Sequence, residues 1–407
     1  MFPFSTSGDN QSLAMKILLI GEYSNVHATL ARGLRAAGHQ AIVVSDGDGW
    51  KDYERDIDVS RDSSRLGGAR LLLRLLRIRD RLKGYDVVQL INPMFFELKA
   101  ERLFAAYHWL RRHNRCVILC GFGMDWYWVR TCIVERPLRY SDFNIGDRIR
   151  TDEAAERERR DWMGTAKERL NRQIAADCDG IVTGLYEYHV CYHRAFPRKT
   201  RFIPFPIEMP QPVQQAEEVQ GDDNLERGVD AQGNRKLKLF IGISRNRSAY
   251  KGTDIMLRAA EDVVSRYPDC VELTIGQGIP FAEYQQVVAR HDVLLDQLYS
   301  YTPAMNALMA MSQGVVVVGG GEPENYDILG EQGLRPIINV EPTYESVYEE
   351  LCKLVLHPER IPLLKHQSVD YVRRHHDLAK VTEQYLEFYN SVIDRLSPAA
   401  ESESVNS

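Results

Sequence analysis

Residues 292–325 read Asp-Val-Leu-Leu-Asp-Gln-Leu-Tyr-Ser-Tyr-Thr-Pro-Ala-Met-Asn-Ala-Leu-Met-Ala-Met-Ser-Gln-Gly-Val-Val-Val-Val-Gly-Gly-Gly-Glu-Pro-Glu-Asn. An apolar run ends in the polar pair Asp296-Gln297, a loop follows, and small residues from Ala304 to Ser312 have the composition of a tightly packed helix. Gly314 then releases the chain into Val315 to Val318, a β-branched run with no polar alternation. Such a strand is buried on both faces, so this is a β-α-β unit of a parallel sheet covered by helices on either side. The triplet Gly319-Gly320-Gly321 after the strand allows close approach of backbone to a ligand, and Glu322 and Glu324 follow it.

The same alternation extends in both directions. On the C-terminal side of a central break, strands are expected at Leu237 to Ile243, Val271 to Ile275, Asp292 to Leu295, Val315 to Val318 and Pro336 to Val340. On its N-terminal side they are expected at Lys16 to Ile20, Ala41 to Ser45, Asp86 to Ile91, Cys116 to Cys120, Gly180 to Thr183 and Arg201 to Phe205. Ala28 to Ala37 is a helix stopped by Gly38. The break, 210–236, is rich in Gln, Glu, Asp and Gly and reads as a linker or insertion. The fold class is therefore α/β, with two doubly wound Rossmann-like domains, 15–209 and 237–367, facing a cleft. A helix over 368–396, with Leu378, Val381, Tyr385, Tyr389, Val392 and Leu396 on one face, is expected to pack across the domains. Residues 1–14 read as a disordered polar leader and 397–407 as a disordered tail.

Composition removes several functions. The chain has 407 residues, 51 basic against 57 acidic, and a net charge of −6. That balance excludes a dedicated nucleic-acid binder, so any phosphate affinity comes from a few local cations. The seven cysteines lack zinc spacing, and Cys116 and Cys120 bracket a strand-like run. Their usage points to a reducing, cytoplasmic setting. No apolar run approaches the length that spans a bilayer.

Four places carry candidate chemistry. Phe240 to Asp254 runs from a strand into a loop with Arg245, Arg247 and Lys251, and Gly252 opens a helix. Cations beside helix N-terminal amides suit a diphosphate, although the Walker order is absent. Asp296-Gln297, Gly320, Gly321, Glu322 and Glu324 fall on what should be the carboxyl edge of one sheet, where carboxylates could hold sugar or ribose hydroxyls. Asp125, in Gly121-Phe-Gly-Met-Asp125, is either catalytic or a helix cap, and His27 either faces the cleft or lies on a helix surface. Finally, Arg61 to Lys83 alternates arginines with leucines, a pattern that suits either a covering helix or contact with anionic lipid.

These stretches together resemble the GT-B glycosyltransferases of the group 1 class, which are retaining and use nucleotide sugars. The family's Arg and Lys-Gly on the donor diphosphate match Arg245 or Arg247 and Lys251-Gly252. Its stretch Glu-x7-Glu-Ala-Met-Ala-x-Gly-x-Pro-Val-Val is matched by Met309-Ala-Met-Ser-Gln-Gly-Val-Val-Val, and its Gly-x-Asp acceptor loop by Gly123-Met-Asp125. Lys16-Ile-Leu-Leu-Ile-Gly, Gly33-Leu-x3-Gly-His39 and Tyr85-Asp-Val-Val-Gln-Leu resemble the first strands and helix. The resemblance runs from Lys16 to about Leu396. It departs at the two family glutamates, which fall on Tyr301 and Met309. An Asp-Gln pair in a subset of the family matches Asp296-Gln297, and Asp296, Asn306, Glu322 or Glu324 is expected to take over the hydroxyl contacts.

The resemblance implies a metal-independent enzyme without a cofactor, which moves a sugar from a nucleotide diphosphate to a saccharide or lipid-linked saccharide in surface polysaccharide synthesis. Its setting would be cytoplasmic or peripheral on the inner face of the membrane. The missing glutamates keep two alternatives open: a GT-B scaffold that has lost catalysis, and a sugar-nucleotide epimerase of related fold.

Overall fold

The structure of the chain, a computed structural model, describes residues 14–210, 236–243 and 251–397. Arg245 and Arg247, almost all of the leader and tail, and the linker apart from its two end residues lie outside the described residues.

In chain order the strands of the first half are β1 (Lys16–Ile20), β2 (Gln40–Ser45), β3 (Ile57–Asp58), β4 (Val87–Leu90) and β5 (Cys116–Gly121). A short antiparallel pair, β6 (Asn144–Ile145) and β7 (Arg148–Ile149), precedes β8 (Gly180–Thr183) and β9 (Thr200–Phe202). Seven of these make one parallel sheet in the order β3-β2-β1-β4-β5-β8-β9. The second half supplies β10 (Leu237–Ile243), β11 (Val271–Gln277), β12 (Val293–Leu295), β13 (Val316–Gly319) and β14 (Ile338–Asn339). They form a second parallel sheet, β11-β10-β12-β13-β14. The two doubly wound domains expected from the sequence are present.

The apolar runs are continuous because both sheet faces are covered. Ile17, Leu19, Val43, Val87 and Ile118 pack on one side with Val26, Leu30 and Leu34 of the helix Val26–Ala36. Their strand neighbours Leu18, Ile20, Val44, Val88 and Leu119 pack on the other with Leu103, Tyr107 and Ile174. Each fully buried Val, Leu or Ile contributes about 1.5–3 kcal/mol, so no polar residue is tolerated on either face without a partner. The second sheet repeats this, with Leu239, Ile241, Val293 and Val316 against Met256, Val263 and Leu351.

In each sheet the strand order reverses, between β1 and β4 in the first and between β10 and β12 in the second. The loops leaving these points face each other. After β1 the chain turns at Gly21, whose φ of +82° and distance of 2.3 Å from a hypothetical Cβ to Ile91 exclude any side chain.

The C-terminus differs from the single helix expected over 368–396. Two helices, Ile361–His375 and Leu378–Leu396, are separated at 376–377. Asp377 takes extended ψ of 131° and caps the second helix, accepting from the N–H groups of Ala379 and Lys380 at 3.1 and 3.3 Å. The first helix stays with the second domain through Tyr371, which bonds Asn325. The second returns to the first domain: Leu378 N–H donates to Ile207 O at 3.0 Å, and Tyr389 donates to Gln89 Oε1 at 2.8 Å.

Candidate active site

The facing loops enclose a cavity of about 400 Å³ between the domains. The first domain contributes Tyr23 and Ser24 after β1, Asp48 and Lys51 after β2, Gly123 and Met124 after β5, and Glu187 from the helix Tyr186–Ala195. Ser24 and Asn25 have φ of 53° and 72°, an uncommon left-handed pair held by its surroundings. Ser24 N–H donates to Asp48 Oδ2 at 2.8 Å, and Lys51 Nζ donates to the same oxygen at 2.5 Å. The second domain contributes Lys251, Asp296, Gln297, Tyr299, Ser300 and Asn306. Asp296 directly follows β12 at the reversal point, is 7 % exposed, and accepts from Asn306 Nδ2 at 2.7 Å. Lys251 precedes Gly252, the N-cap of the helix Thr253–Arg266, at φ 70°. A Cβ at Gly252 would lie 2.7 Å from Leu298 Cβ, so this turn can pass under the cavity only without a side chain. A cation at a helix start beside a strand-end carboxylate can bind a phosphate and a hydroxyl at once.

Glu187 ties the domains at the cavity floor. The hydroxyls of Ser300 and Thr302 donate to its two oxygens at 2.8 and 2.7 Å, and burial raises its pKa above the ordinary value. A second tie lies beside it: Arg139, before β6, donates to Glu322 and Glu324 at 2.6 Å each, Tyr140 donates to Glu322 at 2.5 Å, and Arg139 N–H reaches Tyr301 Oη at 2.5 Å.

No protein-family model matches the chain, and no curated protein matches it in sequence. Solved structures match it in fold. HepE of Anabaena in complex with UDP and glucose aligns with a TM-score of 0.56 at 12 % identity, over 93 % of this chain and 100 % of that one. Sucrose-phosphate synthase of Thermosynechococcus elongatus gives 0.58 at 13 % identity, over 93 % and 100 %. UDP-GlcNAc 2-epimerase of Neisseria meningitidis bound to UDP-GlcNAc gives 0.53 at 10 % identity, over 93 % and 100 %. The chain has the GT-B fold. Solved structures of this fold thus include both glycosyltransferases and UDP-sugar epimerases.

Within the GT-B cleft, the structure brings together Lys251, Asp296, Gln297 and Asn306, with Gly252 behind them. Of the other described residues singled out by sequence as site candidates, none lines this cavity, and Arg245 and Arg247 lie outside the described residues. Asp125 is fully buried and does not line the cavity; the adjacent Gly123 and Met124 do. Its carboxylate caps the helix Trp126–Arg130 by accepting from Trp128 N–H at 2.9 Å, and accepts from Tyr192 Oη at 2.6 Å. Burial raises its pKa to about 6 against those bonds. His27 is also fully buried. Because Gln89 Oε1 accepts from Tyr389, the Gln89 amide donates to His27 Nε2 at 3.0 Å, and His27 Nδ1–H donates to Gly21 O at 2.8 Å. Burial pulls its pKa down to about 4, so it is a neutral core imidazole.

Glu322 and Glu324 are turned to Arg139 and do not line the cavity. The glycine triplet approaches the chain itself: a Cβ at Gly320 would lie 2.2 Å from Ser300 O, and one at Gly321 2.8 Å from Ile337. Tyr301, at the position of the first family glutamate, is 1 % exposed beneath Arg139. Sequence reading passed over Asp48, Lys51 and Glu187. No motif marks them, although the loop after β2 was open to inspection once β2 was placed.

Proposed function

We propose that the chain transfers a sugar from a nucleotide diphosphate donor to a saccharide or lipid-linked saccharide, as in surface polysaccharide synthesis. The observation that carries this reading is the convergence of Lys251, at a helix start, with Asp296 and Asn306, at the reversal point of the second sheet, on one interdomain cavity. Lys251 would neutralise charge developing on the leaving diphosphate, and Asp296, oriented by Asn306, would accept from donor hydroxyls. Tyr23, Phe122, Trp128 and Tyr188 on the opposite wall offer rings against which an acceptor sugar can lie. The expected setting is the cytoplasm, at anionic lipid: the helix Gly67–Ile78 exposes Leu73 and Leu76, each 53 % accessible, among Arg70, Arg74 and Arg77.

Two rivals share the fold. Tyr301 and Met309 at the family glutamate positions favour a binding protein without turnover, and the GT-B epimerases favour rearrangement of the donor. Calorimetric titration with UDP, GDP and their sugars, followed by product analysis with and without an acceptor oligosaccharide, separates them. Acceptor-dependent release of the nucleoside diphosphate supports transfer. Binding without consumption supports the scaffold, and isomerised sugar supports the epimerase. Lys251→Ala and Asp296→Asn should each weaken donor binding by roughly tenfold or more, as expected when one charge-assisted contact of about 1.5–3 kcal/mol is lost.

A further inference from the structure

Behind the helix Tyr186–Ala195 lies a second cavity, about 420 Å³, which shares no lining residue with the first. The helix divides the two. Glu187 and Tyr188 face the front cavity, whereas His189 and His193, one turn apart, face the rear. Arg201 joins them from β9, and the second domain adds Arg374 and His375 from the end of the helix Ile361–His375. These are two guanidinium and three imidazole groups, and among the described residues no carboxylate lines the cavity.

The arrangement is held from behind. Glu331, buried, accepts from Arg374 Nη1 at 2.9 Å and from His375 Nε2 at 2.7 Å, while its other oxygen accepts from the N–H groups of Gly333 and Leu334. Arg374 and His375 are therefore positioned at the cavity edge. Arg201 has no carboxylate partner among the described residues. The rings of His189 and His193 stack with centroids 4.9 Å apart, and burial together with the His193 charge pulls the His189 pKa down to about 4. The Thr200 hydroxyl, beside Arg201, is buried with no partner among the described residues. Arg374 is already paired with Glu331 and His189 is neutral, so the positive charge facing the cavity rests chiefly on Arg201, with neutral imidazole and guanidinium N–H donors around it.

We propose that this rear cavity binds a phosphate-bearing anion, either inorganic phosphate or a small organic phosphate ester, between Arg201, His189 and His193 of the first domain and Arg374 of the second. Donors that converge from two sides match a tetrahedral anion, whose oxygens point in several directions, better than a planar carboxylate. Phe202, Pro204 and Leu329 form an apolar wall that can take the organic part of an ester. Such a ligand bridges the same two domains that enclose the front cavity, so by linkage each site alters the affinity of the other.

The test is calorimetric titration of the full chain with inorganic phosphate and, separately, with glucose 1-phosphate. The variants are Arg201→Gln and His193→Gln, both at exposed positions, with Lys251→Ala as the front-cavity control. The parent should bind, Arg201→Gln should weaken binding at least tenfold, His193→Gln should weaken it severalfold, and Lys251→Ala should leave the Arg201-dependent binding unchanged. Tighter binding of glucose 1-phosphate assigns an ester as the ligand, and equal affinities assign free phosphate. The proposal is overturned if neither probe binds the parent, if Arg201→Gln binds as the parent does, or if the affinity is lost with Lys251 instead.

Discussion

Arg139→Ala should loosen the domains by an amount the geometry allows to be worked out. Arg139 makes a forked pair with Glu324 at 2.6 and 3.0 Å, and its Nη2 also reaches Glu322 at 2.6 Å. The Glu324 limb is partly solvated, since the Arg139 side chain is 55 % exposed and that of Glu324 25 %. Screening holds that limb to about 0.5–1 kcal/mol. Glu322 is different, with a side chain only 7 % exposed. Without Arg139 it keeps the Tyr140 hydroxyl alone, and a buried carboxylate left short of donors costs about 1–3 kcal/mol. Arg139 also lies over the Tyr301 ring at 5.0 Å, worth about 0.5 kcal/mol at such an exposed site. The total is about 2–4.5 kcal/mol. Adding Glu322→Gln to the variant should recover roughly half of it, because a neutral amide is less costly to bury than a charge. Urea unfolding followed by tryptophan fluorescence measures the loss, and small-angle scattering measures domain separation. If Arg139→Ala stays within about 0.5 kcal/mol of the parent with an unchanged scattering profile, this contact does not hold the domains together.

Asp125→Ala should destabilise the first domain by about 2–4 kcal/mol through loss of the cap and of the Tyr192 partner, whereas Asp125→Asn should retain most of the stability and all nucleotide binding; calorimetry that finds binding abolished in a stable Asn variant would return Asp125 to a direct role. Glu22 is buried at the start of the helix Val26–Ala36, and burial raises its pKa from 4.5 to about 8. Its folded pKa lies above the unfolded one, so the parent should lose stability as pH rises through that window. Glu22→Gln should flatten this slope, and urea midpoints at about pH 5, 7 and 9 that run parallel in parent and variant would refute it. The chain should co-sediment with anionic but not neutral vesicles, high salt should release it, and Leu73→Ser with Leu76→Ser should abolish the association; equal pelleting with both vesicle types refutes the lipid assignment.

The sequence by itself determined the two sheets, because a strand covered on both faces must be apolar at every position, and that signal needs no neighbour to be read. It also placed Asp296, Glu322 and Glu324 on one edge, since in a parallel sheet each strand's carboxyl end opens on the same side. The tertiary structure alone decided what happens along that edge. Glu322 and Glu324 sit where a ligand-binding carboxylate would, but Arg139, from an insertion in the other domain, meets them first. Asp125 and Met124 are adjacent in the chain, yet one points into the core and the other into the cavity. The apolar face of the last helix begins only at Leu378, so its periodicity could not reveal that the chain crosses between domains at 376–377. The rear cavity gathers side chains from five separate segments with no motif to announce it. Apolar periodicity is a local record of whether a position is buried, but the partner of a polar side chain is set by which distant loop arrives beside it when the domains close.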